Sequence, residues 1–218
     1  MMIDYAKEVT SQTEEELETA EGSKMVFSKK GNGEILNRAI LYATEKHWGM
    51  LRKGSHTPYI LHPLEAAAIV AGITDDEEVM SAAVLHDTVE DTGTSIEEIK
   101  KIFGTRIATL VADESEDKRE DQKAEDTWKV RKQETIDHLS HASRDAKIIA
   151  LGDKLSNMRA MKRDYTRIGD ELWKRFNQKD PAEHGWYYRS IGKALESELG
   201  DTPEWQEYMR LVEEVWGR

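Results

Sequence analysis

The residues best suited to chemistry lie in one short stretch, Ala82–Asp91, which reads AAVLHDTVED. An apolar run leads into His86 and Asp87, and an acidic pair, Glu90 and Asp91, follows. On one continuous helix the three acids lie about 100°, 40° and 140° from His86, so all four groups share one side. There they could bind a metal ion and orient a reacting water. The alternative is a solvent-exposed charged face, but such faces seldom begin with an AAVL run.

Two other segments supply groups that could join this stretch. His62 lies directly before Pro63 in YILHP, and a proline at the first position of a helix would hold the histidine on stiff backbone. Asp153 follows the apolar run IIALG, so we expect it to be at least partly buried, and Asn157 shares its helix face one turn later. Buried carboxylates are normally paired, hydrogen-bonded or bound to a metal.

Together these segments supply a set of nitrogen and oxygen ligands: His62, His86, Asp87 and Asp153. Such a set suits a divalent ion such as Mn²⁺, Fe²⁺, Zn²⁺ or Mg²⁺, although two histidines weigh against Mg²⁺. The spacing matches no zinc-finger pattern. Residue chemistry therefore leaves two interpretations open, a mononuclear hydrolytic site or separate structural roles for each residue.

The composition excludes several classes of protein and site. The chain has 218 residues, a net charge of -12 and no cysteine. The lack of cysteine excludes disulfides and thiolate ligands, and the acidic charge argues against binding to nucleic acid, which needs a basic surface. A phosphorylated small molecule would need a metal or a few Lys and Arg side chains to offset its charge. No segment approaches the ~20 apolar residues of a membrane span, and the first residues contain no apolar signal region, so we expect a cytoplasmic protein without membrane contact.

Helical periodicity dominates the elements that must position these groups. We predict an all-α fold, a bundle of about eight to ten helices with no convincing strand. Thr94 and Glu97 have the spacing of a capping box at a helix start, and Gly104 marks a helix end. We interpret residues 1–30 as an N-terminal arm or peripheral helix, and residues 31–218 as one domain with C-terminal helices.

Two segments outside the main motifs each allow two interpretations. The almost wholly charged segment 113–127 is either an exposed loop or helix end, or a lid over an anionic ligand, with Lys118, Arg119 or Lys123 turned inward. The aromatic residues after position 165 either dock two C-terminal helices against the bundle or close over a purine, with three candidates: Trp186, Tyr187 and Tyr188.

The remaining histidines are weaker candidates for chemistry. His47 is expected to pack between helices or to contact a metal ligand rather than to bind metal itself. His138, His141 and His184 are expected at surface helix ends.

The motifs in combination resemble those of a known family. His62, His86-Asp87 and Asp153 resemble the signature of the HD-domain metal-dependent phosphohydrolases. The fuller pattern adds RK at 52–53, TPYILHP, AAVLHDTVEDT, FG and DKLSNMRA, and it covers roughly residues 35–165. This pattern resembles the hydrolase domain of RelA/SpoT proteins and, more closely, the stand-alone small alarmone hydrolases of the metazoan type.

The resemblance implies one bound Mn²⁺ ion, with Fe²⁺, Zn²⁺ or another divalent ion as alternatives, and four ligands: His62, His86, Asp87 and Asp153. Glu90 and Asp91 match the family's catalytic acidic pair, which activates the attacking water or relays its protons. Arg52 and Lys53 match a basic pair that contacts the nucleotide, and Asn157 matches an asparagine that holds its sugar or phosphate.

The family reaction implied is the removal of pyrophosphate from the 3′ position of guanosine tetra- or pentaphosphate, (p)ppGpp, which returns GDP or GTP. One alternative is the same metal chemistry on another nucleotide: an adenosine 3′-pyrophosphate, a 5′-nucleotide or NADPH. A nucleotide sensor without catalysis is the other. Ser156 stands where relatives commonly carry a histidine or an aromatic residue, and the segment ADESEDK replaces a threonine-containing version. Both departures put the substrate in doubt more than the reaction.

Overall fold

The computed structural model describes residues 14–18, 24–28, 33–115 and 123–217, and helices make up most of them. Ten α-helices and one 3-10 helix occur in these ranges: α1 Glu34–Lys46, α2 Leu61–Val70, α3 Glu77–Leu85, α4 Thr88–Thr92, α5 Ile96–Phe103, α6 Thr105–Glu114, α7 Ala124–His141, α8 Arg144–Ile168, the 3-10 helix Gly169–Arg175, α9 Pro181–Leu199 and α10 Pro203–Trp216. The prediction of an all-α bundle of eight to ten helices is confirmed.

A short hairpin precedes the bundle. Its strands, β1 Glu14–Glu18 and β2 Lys24–Ser28, pair antiparallel. No convincing strand was predicted, so these ten residues differ from that expectation and from a peripheral helix, while the alternative of an N-terminal arm stays a prediction. The second strand reads KMVFS, in which Val and Phe favour extended backbone, but five residues are too few to show a clear period of two. The rest of residues 1–30 lies outside the described ranges.

Helix α8 is the centre of the bundle and packs against α2, α3, α6, α9 and α10. It begins where the Ser143 hydroxyl accepts a hydrogen bond from the Ala146 N–H. A side chain at Gly152 would place its Cβ 2.8 Å from the Ala66 carbonyl oxygen on α2. This glycine therefore permits a close approach of α2 and α8, which brings His62 of α2 near Asp153 of α8.

Two helix starts differ from the predicted ones by one or two residues. Ser95, rather than Thr94, caps α5 by accepting from the Glu98 N–H at 3.1 Å. Helix α2 begins at Leu61, so Pro63 occupies its third position. A proline is tolerated there because the first N–H groups of a helix have no partner within it.

The helix end predicted at Gly104 is confirmed. Gly104 ends α5 and precedes α6 with φ 93°, a backbone conformation that favours glycine. Within the described ranges, no helix combines the length and the apolar character that crossing a membrane requires.

Candidate metal centre and its two flanking cavities

The continuous helix predicted over Ala82–Asp91 is wrong, because the chain turns in the middle of the motif. Helix α3 ends at Leu85, and α4 begins at Thr88. The Thr88 hydroxyl donates to the Leu85 carbonyl at 2.6 Å, and this side-chain bond competes with continuation of the helix. His86 and Asp87 therefore project from a turn between two helices rather than from one helix face.

The turn nevertheless brings together the four residues expected to bind metal. The Nε2 atom of His62 lies 3.1 Å from Asp153 Oδ1 and 3.4 Å from Asp87 Oδ2. The Nε2 atom of His86 lies 3.1 Å from Asp87 Oδ2 and 3.7 Å from Asp153 Oδ1. Nitrogen and oxygen ligands about 2.1 Å from a common ion are separated by about 3.0–3.4 Å, so the donor set fits a single divalent cation.

Hydrogen bonds determine which ring nitrogen of each histidine faces this cluster. The Nδ1 atom of His86 lies 2.8 Å from the Ala83 carbonyl oxygen, which can only accept, so Nδ1 carries the proton. The Nδ1 atom of His62 lies 2.9 Å from the Ser156 hydroxyl. His86 Nε2 is buried and has no hydrogen-bond partner among the described residues. A lone pair that is buried beside carboxylate oxygens fits a metal ligand.

The charges of the cluster favour binding of a cation. Burial lowers the pKa of His86, but Asp87 and Asp153 outweigh this effect and raise it well above its usual range. Burial raises the pKa of Asp153, and Lys154 and the two histidines outweigh it and hold the pKa well below its usual range. A proton or a metal ion can supply the positive charge that these buried carboxylates stabilise.

Tyr59 is a site residue that the sequence analysis missed. Its hydroxyl lies 2.6 Å from Asp87 Oδ2 and 2.9 Å from Asp91 Oδ2. Burial and these two carboxylates raise the Tyr59 pKa, so the hydroxyl remains protonated and holds Asp91 beside a metal ligand. The position of Tyr59 three residues before His62, within the TPYILHP motif, was the available signal.

His47 lies behind this tyrosine. It is 2% exposed, its ring centroid is 4.9 Å from that of Tyr59, and neither ring nitrogen has a hydrogen-bond partner in the described part of the chain. Burial lowers the pKa of His47 and favours the neutral ring. These contacts agree with the expected packing role rather than with metal binding.

Two of the three expected nucleotide contacts lie beside the metal cluster. Arg52 donates to Asn157 Oδ1 at 2.8 Å, and Asn157 Nδ2 donates to Asp153 Oδ1 at 2.5 Å. Asn157 therefore links a candidate metal ligand to a guanidinium group. Lys53, the third expected contact, is exposed and borders the same cavity as Arg52.

Two cavities meet at Tyr59 and Asn157, which line both. The first, here called the acidic cavity, has a volume of about 370 Å³ and lies between the metal cluster, the end of α6 and α7. Its charged lining includes six acids and three bases: Asp87, Glu90, Asp113, Glu114, Glu134, Asp153, Arg131, Lys132 and Lys154. The second, here called the basic cavity, has a volume of about 410 Å³ and lies between residues 52–59, α8 and the 3-10 helix. Its charged lining is five bases and one acid: Arg52, Lys53, Arg163, Arg167, Arg175 and Asp164.

The predicted acidic pair lies on the side of the acidic cavity. Glu90 lines this cavity, and the exposed Asp91 is held by Tyr59. Glu114, at the end of α6, lines the same cavity, and burial raises its pKa to about 7. The helical spacing within Ala82–Asp91 could not identify Glu114, because Glu114 lies on α6, which reaches the site only through tertiary packing.

The charged segment 113–127 is described only at its ends. Residues 113–115 line the acidic cavity, and Lys123 is exposed before α7. Lys118 and Arg119, which the lid interpretation requires, lie outside the described ranges.

The C-terminal aromatic residues pack within the fold. His184, expected at the surface, is 4% exposed, and its ring stacks on Trp173 with centroids 5.3 Å apart. Tyr188 stacks on Trp216 at 5.5 Å, so the rings dock the 3-10 helix, α9 and α10 together. Tyr187 borders the acidic cavity and Tyr188 the basic cavity.

The other weak candidates lie at or near the surface. Trp186 lies under the Lys129 ammonium group, 3.3 Å from the ring centroid, and borders neither cavity. His138 borders the acidic cavity 3.8 Å from Asp113, and His141 is exposed.

Comparison with known proteins gives consistent matches. A family model described as HD domain matches residues 39–181. The chain is 40% identical over 142 residues to guanosine-3′,5′-bis(diphosphate) 3′-pyrophosphohydrolase MESH1 of Danio rerio, a match that spans 64% of this chain and 73% of that protein. The human protein of the same name is 41% identical over 142 residues, which span 63% and 73% of the two chains. The GTP pyrophosphokinase rsh of Brucella ovis is 38% identical over 135 residues, which span 60% of this chain and 17% of that protein.

Two solved structures have a similar fold. A metazoan orthologue of SpoT that hydrolyzes ppGpp superposes with a TM-score of 0.67 at 24% identity, over 85% of this chain and 97% of that chain. A protein of Listeria monocytogenes EGD-e superposes with a TM-score of 0.63 at 31% identity, over 74% and 97% of the two chains.

Proposed function

Because the chain belongs to the HD domain family, we propose that it is a metal-dependent hydrolase that removes pyrophosphate from the 3′ position of (p)ppGpp and releases GDP or GTP. The observation that carries this proposal is the buried His–Asp cluster beside the acidic cavity, which meets the basic cavity at Tyr59 and Asn157. The names of the MESH1 relatives, which share about two fifths of the aligned residues, support the choice of substrate.

We assign the metal ligands to the cluster itself. His62, His86, Asp87 and Asp153 would hold one ion, and Mn²⁺ suits a set of two imidazoles and two carboxylates. Bound there, a divalent ion would lower the pKa of a water molecule and offset phosphate charge. The buried His86 Nε2 atom, which has no hydrogen-bond partner among the described residues, supports this assignment.

We assign proton transfer to the acidic pair. Glu90 lines the cavity beside the ligands, where a carboxylate can accept the proton of an attacking water. Asp91 can share this role, and Tyr59 holds its carboxylate by a hydrogen bond at 2.9 Å. Since the Tyr59 pKa is raised, the tyrosine acts as a donor that positions Asp91 rather than as a base.

We assign recognition of the nucleotide to the basic cavity. Five Arg and Lys side chains against one Asp suit a ligand with phosphates at both its 3′ and 5′ positions. Arg52 and Asn157 connect this cavity to Asp153, so a nucleotide held by them would present one phosphate group to the metal cluster. Lys53 lies at the same rim.

Product analysis with a nucleotide panel tests the function. The purified protein and Mn²⁺ are incubated with ppGpp, pppGpp, an adenosine 3′-pyrophosphate, GMP and NADPH, and the products are separated by ion-exchange chromatography. We expect pyrophosphate with GDP or GTP from the guanosine 3′-pyrophosphates, and no product with His86→Ala. Orthophosphate released only from GMP or NADPH would contradict the proposed substrate but not the metal chemistry. Binding of ppGpp without any turnover would indicate a sensor.

A further inference from the structure

A chain of hydrogen bonds leads from the buried metal cluster to partly exposed side chains of α2, α8 and α10. Ser156, on α8, has its hydroxyl 2.9 Å from His62 Nδ1 and is 1% exposed. Its hydroxyl donates to Glu65 Oε2 at 2.8 Å, one turn along α2 from the histidine. Ser156 was expected to affect the choice of substrate, but its hydroxyl contacts a candidate metal ligand.

The direction of each hydrogen bond along this chain follows from which groups can donate. An ionised carboxylate only accepts, so the single hydroxyl proton of Ser156 is used by Glu65. The hydroxyl oxygen must then accept the Nδ1 proton of His62 across the 2.9 Å contact. In the neutral form of the ring, this arrangement leaves the lone pair on His62 Nε2, which is directed at Asp87 and Asp153.

The far end of the chain is anchored on the C-terminal helix. Arg159 donates to Glu65 Oε1 at 3.3 Å and makes two hydrogen bonds to Glu207 of α10, at 2.8 and 2.7 Å. A bidentate pair of this kind restricts the guanidinium group, which in turn restricts Glu65.

The two candidate histidine ligands are therefore oriented by different means. The proton of His86 Nδ1 goes to the Ala83 carbonyl, a fixed backbone group, whereas that of His62 Nδ1 goes to a side-chain relay that ends on a carboxylate. We propose that Ser156 and Glu65 are positioning residues, which hold His62 in its metal-binding tautomer and strengthen its bond to the ion. The inference rests on the proposed metal centre.

Because His62 and Ser156 are buried, water cannot easily take the place of the Ser156 hydroxyl. His62 is 4% exposed and Ser156 is 1% exposed, so water has little access to the Nδ1 proton. Loss of the hydroxyl would leave a buried N–H without an acceptor and would free the ring to rotate or to change tautomer. Removal of such a partner typically weakens metal binding by about 10- to 100-fold.

Ser156→Ala tests the relay, and Ser81→Ala is its matched control. Ser81 is also fully buried, but its hydroxyl donates to the Glu77 carbonyl within α3, away from the cluster. The dissociation constant for Mn²⁺ is measured by calorimetry, and the melting temperature of each variant is measured in EDTA. We expect about 10- to 100-fold weaker binding for Ser156→Ala and no change for Ser81→Ala.

Two further variants change residues that lie farther from the metal cluster along the hydrogen-bond chain. Glu65→Gln keeps an acceptor for Ser156 but removes the charge, so we expect about 3- to 10-fold weaker Mn²⁺ binding. Glu207→Gln alters only the anchor, and the expected change is less than about 3-fold. Glu65 is partly exposed and its substitution leaves the packing around Ser156 intact, so this variant tests the inference even if Ser156→Ala does not fold.

The outcomes separate this inference from the proposed function. Equal Mn²⁺ affinities for the wild type, Ser156→Ala and Glu65→Gln would overturn the relay but leave the metal centre and the hydrolase in place. Equal losses for Ser156→Ala and Ser81→Ala would also overturn it, because the effect would then follow from any lost buried hydroxyl. A wild-type protein that binds no divalent ion would overturn both the metal centre and the relay.

Discussion

The acidic and basic cavities share Tyr59 and Asn157 but are built in different ways. The ligands beside the acidic cavity come from compact motifs, and most are buried within the helices and the turn that carry them. The basic cavity is assembled from the segment 52–59, the second half of α8 and the 3-10 helix, and several of its basic side chains are exposed. One region concentrates negative charge on mostly buried side chains, and the other presents positive charge on longer, more exposed side chains.

Because of this difference, we assign catalysis to the acidic cavity and binding of the nucleotide to the basic cavity. A nucleotide with several phosphates is repelled by the acidic lining unless a cation is bound, while the basic cavity attracts it with or without one. We therefore expect substitutions at the acidic side to change turnover and substitutions at the basic side to change affinity.

The largest expected effect follows from removal of one ligand. Asp153→Asn keeps the shape of the side chain but removes a charge that binds the ion, so we expect turnover of ppGpp to fall by more than about 10⁴-fold. Affinity for the nucleotide in EDTA, measured by calorimetry, is expected to change by less than about 3-fold, since the basic cavity is intact. His138→Ala, at an exposed histidine of the same cavity, is the control and is expected to retain activity. Equal losses of turnover and nucleotide affinity would contradict the separation.

The next effect concerns the acidic pair. Glu90→Gln and Asp91→Asn are each expected to lower kcat by about 10²- to 10³-fold while Mn²⁺ stays bound, because they remove a proton acceptor and not a ligand. Tyr59→Phe removes the hydroxyl that bonds to Asp91 and to the candidate ligand Asp87, and we expect kcat to decrease by about 10-fold. Kinetics with the metal content of each variant measured in parallel check these values. Unchanged turnover in both acid variants with bound metal would show that the pair has another role.

A smaller effect is expected in the basic cavity. Arg167→Ala removes an exposed guanidinium at its edge, and we expect KM to rise by about 3- to 10-fold with kcat nearly unchanged. The effect should shrink at high salt, because exposed charges are screened. Arg210→Ala, at an exposed arginine of α10 that pairs with Glu214, is the matched control. A fall in kcat without a change in KM would place Arg167 with the chemistry instead.

The sequence predicted the two regions unequally, and the reason is physical. The four expected ligands lie in local motifs: His62, His86, Asp87 and Asp153. Their types suggested a metal cluster as one of two interpretations, and the resemblance to the HD-domain hydrolases favoured it. The break after Leu85 was not predicted, because it depends on side-chain hydrogen bonds to the last turn of α3 that compete with an otherwise favourable helix.

Residues whose role depends on packing between helices were harder to predict. The role of Ser156 follows from the close approach of α2 and α8 at Gly152, which no local pattern encodes. Arg167 and Arg175 reach the basic cavity from separate elements, so no motif joins them. His184 was expected at the surface, but the rings of Trp173 in the 3-10 helix and of Phe176 directly after it cover the histidine.

The smallest effect tests whether the acidic cavity carries excess negative charge. Burial raises the pKa of Glu114 to about 7, above the value near 4.3 of an unfolded chain. Between these two values the unfolded chain is ionised while the folded protein keeps its proton, so folding stability falls as pH rises, and the penalty is complete above pH 7. Glu114→Gln cannot ionise and avoids this penalty. In EDTA we expect the variant to be more stable than the wild type, and this gain in the free energy of unfolding should be about 1 kcal/mol larger at pH 8 than at pH 5. The value is reduced because the side chain is partly exposed.

Urea unfolding at the two pH values measures this difference, and Glu97→Gln, at an exposed glutamate of α5, is the control with no pH-dependent gain. Saturating Mn²⁺ should reduce the gain of Glu114→Gln, because a cation beside Asp87 and Asp153 favours ionised Glu114. If the gain is independent of both pH and Mn²⁺, the Glu114 carboxyl does not respond to the metal cluster, and the negative charge of the acidic cavity is confined to the ligands themselves.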